Sequence, residues 1–103
     1  MADADLLLGL DAGNTVIKAV LFDRDGTQLA ASRRDGSAHS PAPGHVERDA
    51  GELWANAAAV IREVLEESGA PPGAVAAIGC AGHGNGLYLL DRDGTALPAI
   101  TSL

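Results

Sequence analysis

The stretch DAGELWANAAAVIREVLEESGAPP, from Asp49 to Pro72, limits the possible fold more than any other part of the chain. Leu53, Trp54, Ala57, Val60, Ile61, Val64 and Leu65 recur at helical spacing and make one apolar stripe. Asp49 is placed to cap the helix, and Glu52 stands three residues later, as in a capping box. Gly69 ends the helix, and Pro71 and Pro72 forbid its return. A helix that is apolar on one side only needs a second layer to cover that side.

The flanking segments provide that layer as β-structure. Leu6 to Leu10 is a short apolar run that reads as a buried strand, and Thr15 to Phe22 is β-branched and apolar. About four residues separate the two runs, which suits a hairpin. DRDG, Asp23 to Gly26, is a strong turn signal, and Thr27 to Arg34 follows as a third strand. Asp35 to Asp49 has no period and holds glycine and proline around His39 and His45, so it reads as an excursion from the sheet. After the helix, Val75 to Cys80 reads as a strand, AGHGNG as a loop and Leu87 to Asp91 as another strand. The second DRDG, Asp91 to Gly94, predicts a further hairpin, and its likeness to the first is shared turn chemistry rather than duplication. The expected class is α/β, with a meander before the helix and strands after it.

Composition narrows the function. The 103 residues suffice for one small domain that buries roughly two-thirds of the surface of its unfolded chain. Aromatic residues are 3% of the chain, so Ala, Leu and Val must fill the core, and a base-stacking nucleic-acid module is disfavoured. A net charge of −7 repels phosphate backbones and anionic membranes at long range. It leaves open a local phosphate site, which needs amides, a cation and a metal rather than a basic surface. Cys80 is the single cysteine and cannot form an internal disulfide, which suits a reducing cytoplasm. The apolar run at the N-terminus is about five residues long and follows acids, so it fits neither a signal peptide nor a membrane span.

The chemistry concentrates in LGLDAGNTVIKAVLFDRDG, Leu8 to Gly26. A tight turn between two strands presents several backbone N–H groups on one concave side. Gly13 leaves no side chain in the way, Asn14 and Thr15 add polar groups, and Lys18 adds a point charge. Asp11 could hold Mg²⁺, directly or through water. Amides, a cation and a metal anchor are what a nucleotide polyphosphate requires. The same residues also serve as an ordinary turn with an outward lysine. Neither a Walker A loop nor a dinucleotide fingerprint is present.

A second constellation is GHGNG, Gly82 to Gly86. Its glycines let a ligand come close to the backbone, and His83 and Asn85 offer polar edges suited to a polyhydroxyl ligand. A flexible hairpin loop is the plain alternative. A third is PAPGHVERDAGELW, where Arg48 and Asp49 read as an ion pair and a helix cap. A zinc site from Cys80, His83, His39 and His45 lacks a paired knuckle and is disfavoured.

Taken in order, the three pieces resemble the FGGY carbohydrate kinases, over nearly the whole chain from Leu6. The loop wording is more similar to the L-xylulose kinase branch, with its pentulose and polyol kinases, than to the glycerol kinase branch. The resemblance implies a ribonuclease-H-like, actin-like ATPase domain over residues 1–103, incomplete at its C-terminal end, to which the pattern of elements contributes the order β-β-β-α-β-β. It implies that Asp11, Gly13, Asn14, Thr15 and Lys18 face ATP and Mg²⁺, and that His83, Gly84 and Asn85 face the sugar. Asn14 stands where many members carry Thr or Ser, and Asn85 where relatives carry His, Glu or Lys. Members are about five times longer, and their aspartate base and adenine pocket lie in regions beyond position 103.

The expected activity is therefore ATP-dependent phosphorylation of a sugar or polyol, with a pentulose such as xylulose foremost, by a complete cytoplasmic kinase. A missing C-terminal domain would be the chain's partner, and neither nucleic acid nor membrane would be one. A homodimer stays open, and the isolated chain is expected to be inactive. A non-catalytic nucleotide- or sugar-binding fragment is the alternative.

Overall fold

The computed structural model describes residues 5–101. Residues 1–4 and 102–103, part of the expected domain span, lie outside the described residues. Strands β1 (Leu6–Ala12), β2 (Val16–Phe22) and β3 (Gln28–Asp35) form the expected antiparallel meander. The helix α1 (Ala50–Ser68) carries the chain across the sheet to β5 (Val75–Gly82), which pairs parallel to β1. The four-stranded order is β3-β2-β1-β5. A second sheet of order β4-β7-β6 is built from β4 (Val46–Arg48), β6 (Gly86–Leu87) and β7 (Ala99–Thr101).

The helix forms where its capping residues require. The Asp49 side chain accepts from the Gly51 amide, and Gly69 adopts φ 73° at the C-terminus, where its N–H bonds to Glu66 O. The reciprocal half of the capping box is not made, because Glu52 Oε1 accepts instead from the Ser37 amide at 2.6 Å. The helix thereby holds the chain as it leaves β3.

Val60 and Val64 of α1 are fully buried against Leu8, Ile17, Ala19, Leu21 and Ala30. Leu53, Ala57, Ile61 and Leu65 pack around this cluster. Burying side chains of the Val, Leu and Ile type stabilises by roughly 1.5–3 kcal/mol each, so this single layer contact carries most of the fold. Outside it, the Glu63 carboxylate of α1 accepts from Ser32 Oγ and from Nε and Nη2 of Arg34 on β3. The serine hydrogen bond first, then the arginine, hold its pKa below the ordinary 4.5.

Both DRDG stretches turn alike. Asp23 Oδ1 accepts from the amides of Asp25 and Thr27, and Asp91 Oδ1 from those of Asp93 and Thr95. The third residue after each of these aspartates is a glycine with φ 85° or 83°.

Three expectations need correction. Trp54 is 76% exposed and not part of the buried stripe. Successive residues lie about 100° apart around a helix, and Trp54 falls to one side of the line through Leu53, Ala57, Val60 and Val64. The element order is β-β-β-β-α-β-β-β, because β4 lies inside the excursion and β7 follows the second DRDG turn. The strand expected over Leu87 to Asp91 shrinks to Gly86–Leu87 plus one bridge between Leu90 and Ala96. Leu87 to Leu90 are exposed, so no buried face fixes a longer register there.

Candidate functional site

The site residues gather where β1 and β5 end. These are parallel neighbours, with Asp11 opposite Ala81 and Ala12 opposite Gly82. Their outgoing loops therefore leave the sheet at the same end and side by side. In open sheets with parallel strands, the carboxyl ends of the strands are where ligands bind.

The first loop is the hairpin turn between β1 and β2. Gly13 N–H donates to Val16 O at 3.0 Å and closes it. A Cβ on Gly13 would stand 2.8 Å from Val16 O, so a side chain there would force the turn open. The nearest side-chain atom to that position is Asp11 Oδ1, at 3.9 Å, which places the carboxylate over the turn. Asp11 and Lys18 are register partners on the sheet face opposite α1, and both are exposed. They line an open groove of about 450 Å³ with Gly9, Val20, Phe22 and Gly79. Lys18 makes no ion pair among the described residues, so its ammonium group is available to an anion. Thr15 is exposed at the tip, while its carbonyl accepts from Gly36 N–H at 2.9 Å.

The second loop follows β5. His83 N–H donates to Ala12 O at 3.1 Å, which ties this loop directly to the start of the hairpin turn. Its Nδ1 is buried without a hydrogen-bond partner. Gly84 and Asn85 are exposed. Of the loop glycines, Gly86 is the one that close approach requires. A Cβ there would lie 2.5 Å from the Tyr88 ring and 2.9 Å from His83 Nδ1, whereas one on Gly84 would meet nothing within 4 Å. The sequence-derived candidates Asp11, Gly13, Asn14, Thr15, Lys18, His83, Gly84 and Asn85 thus share one end of the sheet.

The donor set fits Mg²⁺. A single exposed carboxylate beside a concave turn leaves most of the coordination sphere to water and phosphate oxygens, which is how this ion is usually held. Among the described residues no group of three or more His, Cys, Asp and Glu forms an all-protein metal cage.

Arg48 was read as an ion-pair residue, and the structure corrects this. It is 6% exposed, on the buried face of β4, and forms no ion pair among the described residues. Its Nε–H donates to Asn14 Oδ1 at 3.2 Å. The sequence signal was the alternation Val46-Glu47-Arg48, buried, half-buried, buried, which is too short to stand out from its proline-rich surroundings.

Among the described residues no helix is long and apolar enough to cross a membrane. The model of the FGGY family of carbohydrate kinases, N-terminal domain, matches residues 6–103. The chain is 41% identical over 90 residues to a probable L-xylulose kinase of Haemophilus influenzae, covering 87% of this chain and 19% of that protein. It is 44% identical over 86 residues to the L-xylulose/3-keto-L-gulonate kinase of Escherichia coli, covering 84% and 17%. The crystal structure of xylulose kinase from Rhodospirillum rubrum superposes with a TM-score of 0.83 at 31% identity, over 93% of this chain and 20% of that one. The chain therefore spans about a fifth of the length of these relatives. Its fold is that of the actin-like ATPase domains of such sugar kinases, and the chain belongs to the FGGY family of carbohydrate kinases.

Proposed function

We propose that the chain is the N-terminal part of a larger kinase that transfers a phosphoryl group from ATP to a hydroxyl of a sugar or polyol. A pentulose such as xylulose is the preferred acceptor class. The observation that carries this reading is the bond from His83 N–H to Ala12 O, which sets a polar, sugar-suited loop against a phosphate-suited turn. Phosphoryl transfer depends chiefly on placing donor and acceptor together and on stabilising charge.

In this reading the amides at the tip of the turn, at Asn14 and Thr15, donate to phosphate oxygens while that of Gly13 closes the turn on Val16 O, and the Thr15 hydroxyl adds a further donor. Lys18 balances phosphate charge from the neighbouring strand. Asp11 would hold Mg²⁺, which when bound supplies charge neutralisation across the phosphates. His83 and Asn85 orient the acceptor, with Asn85 able both to donate to and to accept from a hydroxyl. The similarity to L-xylulose kinases supports the acceptor class.

The test is a pair of substitutions in the complete protein. Asp11→Asn is expected to lower kcat on the order of a hundredfold or more while leaving the sugar KM nearly unchanged. Asn85→Ala is expected to raise the sugar KM and spare the nucleotide KM. A reversed pattern, with Asn85→Ala weakening ATP and sparing the sugar, would show the two loops to be assigned the wrong way round. Absence of sugar-dependent ADP formation across a panel of pentuloses and polyols would overturn the kinase reading.

A further inference from the structure

The phosphate-suited turn and the sugar-suited loop are joined both directly and through the second sheet. The first link is direct, from His83 N–H to Ala12 O. The second runs through the other sheet. Arg48 Nε donates to Asn14 Oδ1 at the tip of the turn. Arg48 lies on β4, which pairs with β7, where Ala99 is its register partner. β7 in turn pairs with β6, where Thr101 faces Gly86. Gly86 is the residue that ends the sugar-suited loop. The chain of contacts is thus a closed ring, and Arg48 is the side chain that completes it.

The paired ends of β1 and β5, with the bond from His83 to Ala12, fix the roots of the two loops. The tip of the turn projects past that ladder, and the bond from Arg48 to Asn14 holds it from the second sheet. Transfer in line from a phosphate to a hydroxyl is sensitive to the placement of that tip, and a displacement of about 1 Å can cost on the order of a hundredfold in rate. Arg48 is suited to the task because it is buried, which limits the conformations open to its side chain.

We propose that Arg48 is a positioning residue for phosphoryl transfer, acting through the donor at Nε on Asn14 and not through its charge on a substrate. The proposal rests on the assignment of the two loops to nucleotide and sugar. It makes a specific chemical demand. Glutamine places an N–H donor at the same number of bonds from the backbone as Arg Nε, without the charge. Methionine has similar length and no donor.

The experiment compares Arg48→Met and Arg48→Gln in the complete protein, by steady-state kinetics, thermal unfolding and amide hydrogen exchange. Arg48→Met is expected to lower kcat about ten- to a hundredfold, with both KM values within about threefold of wild type. Its amides from position 12 to 15 are expected to exchange faster, while those of α1 keep their protection. Arg48→Gln is expected to restore both kcat and exchange protection to near wild type. The proposal is overturned if Gln is as impaired as Met, which would mean that the charge matters. A rise in the sugar KM alone in both variants would make Arg48 a substrate contact instead. A lowered melting temperature with kcat intact would make it structural only. If the wild-type protein phosphorylates no sugar, the functional reading fails by itself. The exchange comparison then still decides whether Arg48 holds the turn, and unchanged protection in Arg48→Met overturns it.

Discussion

Leu8 and Ile78 are register partners in adjacent parallel strands, on the same face of one sheet, yet Leu8 is 2% exposed and Ile78 is 55% exposed. The difference lies in what covers them. Helix α1 packs mainly on β2 and β3 and reaches only the margin of β1. Beyond that margin β5 is exposed on both faces from Ala76 onward, although Ala76, Ala77, Ile78, Cys80 and Ala81 make it as apolar as β1. Apolar sequence is thus a necessary condition for a core position but does not decide it. Cover decides it, and in this chain one helix covers half a sheet.

The sharpest way to break this comparison is to make the same substitution in both halves of the 103-residue chain. Ile17→Ala removes a side chain that is 1% exposed and is expected to cost about 2–5 kcal/mol in urea unfolding. Ile78→Ala is expected to stay within about 0.5 kcal/mol. Similar losses at the two positions would mean that β5 is covered in solution, for instance by a second copy of the chain.

Glycine gives a smaller contrast of the same kind. Gly13→Ala meets the backbone oxygen of Val16 and is expected to cost about 1–3 kcal/mol and to disturb the hairpin amides in an NMR spectrum. A Cβ on Gly79 of β5 meets nothing within 4 Å, so Gly79→Ala is expected to be neutral or to stabilise by a few tenths of a kcal/mol.

The smallest expected effect lies in the covered half, at Glu63. Its folded pKa is depressed by Ser32 and Arg34, so its contribution is present above the unfolded value and is lost as pH falls through the folded one. The difference in melting temperature between wild type and Glu63→Gln should therefore be present at neutral pH, begin to shrink as pH falls past the ordinary value of 4.5, and close once pH is below the lowered folded value. A gap that does not shrink as pH falls through the acid range would assign the effect to packing instead.

How far the sequence could be read follows from the same division. The β1–β2 hairpin, the helix with its caps and both DRDG turns were legible, because each has a local signal several residues long. Strand β4 was not, since three residues hold barely one period of alternation. With it went the burial of Arg48, which depends on β7 more than fifty positions away in sequence. Trp54 was misplaced because spacing marks a broad stripe without marking its centre. The candidate site residues were legible as two separate loops. That the loops touch depends on the parallel pairing of β1 with β5, which no local pattern announces.

That parallel pairing also bears on the order in which the chain organises. β1, β2 and β3 are joined by short turns, so the phosphate-suited hairpin can close on local contacts alone. β5 reaches β1 only after some sixty intervening residues have been traversed, and the entropy of closing so long a loop must be overcome before the pairing is rewarded. The bond from His83 to Ala12 forms only when that closure is complete. In kinetic terms the hairpin belongs to the early, local part of folding, and the junction between the two loops to its late, long-range part.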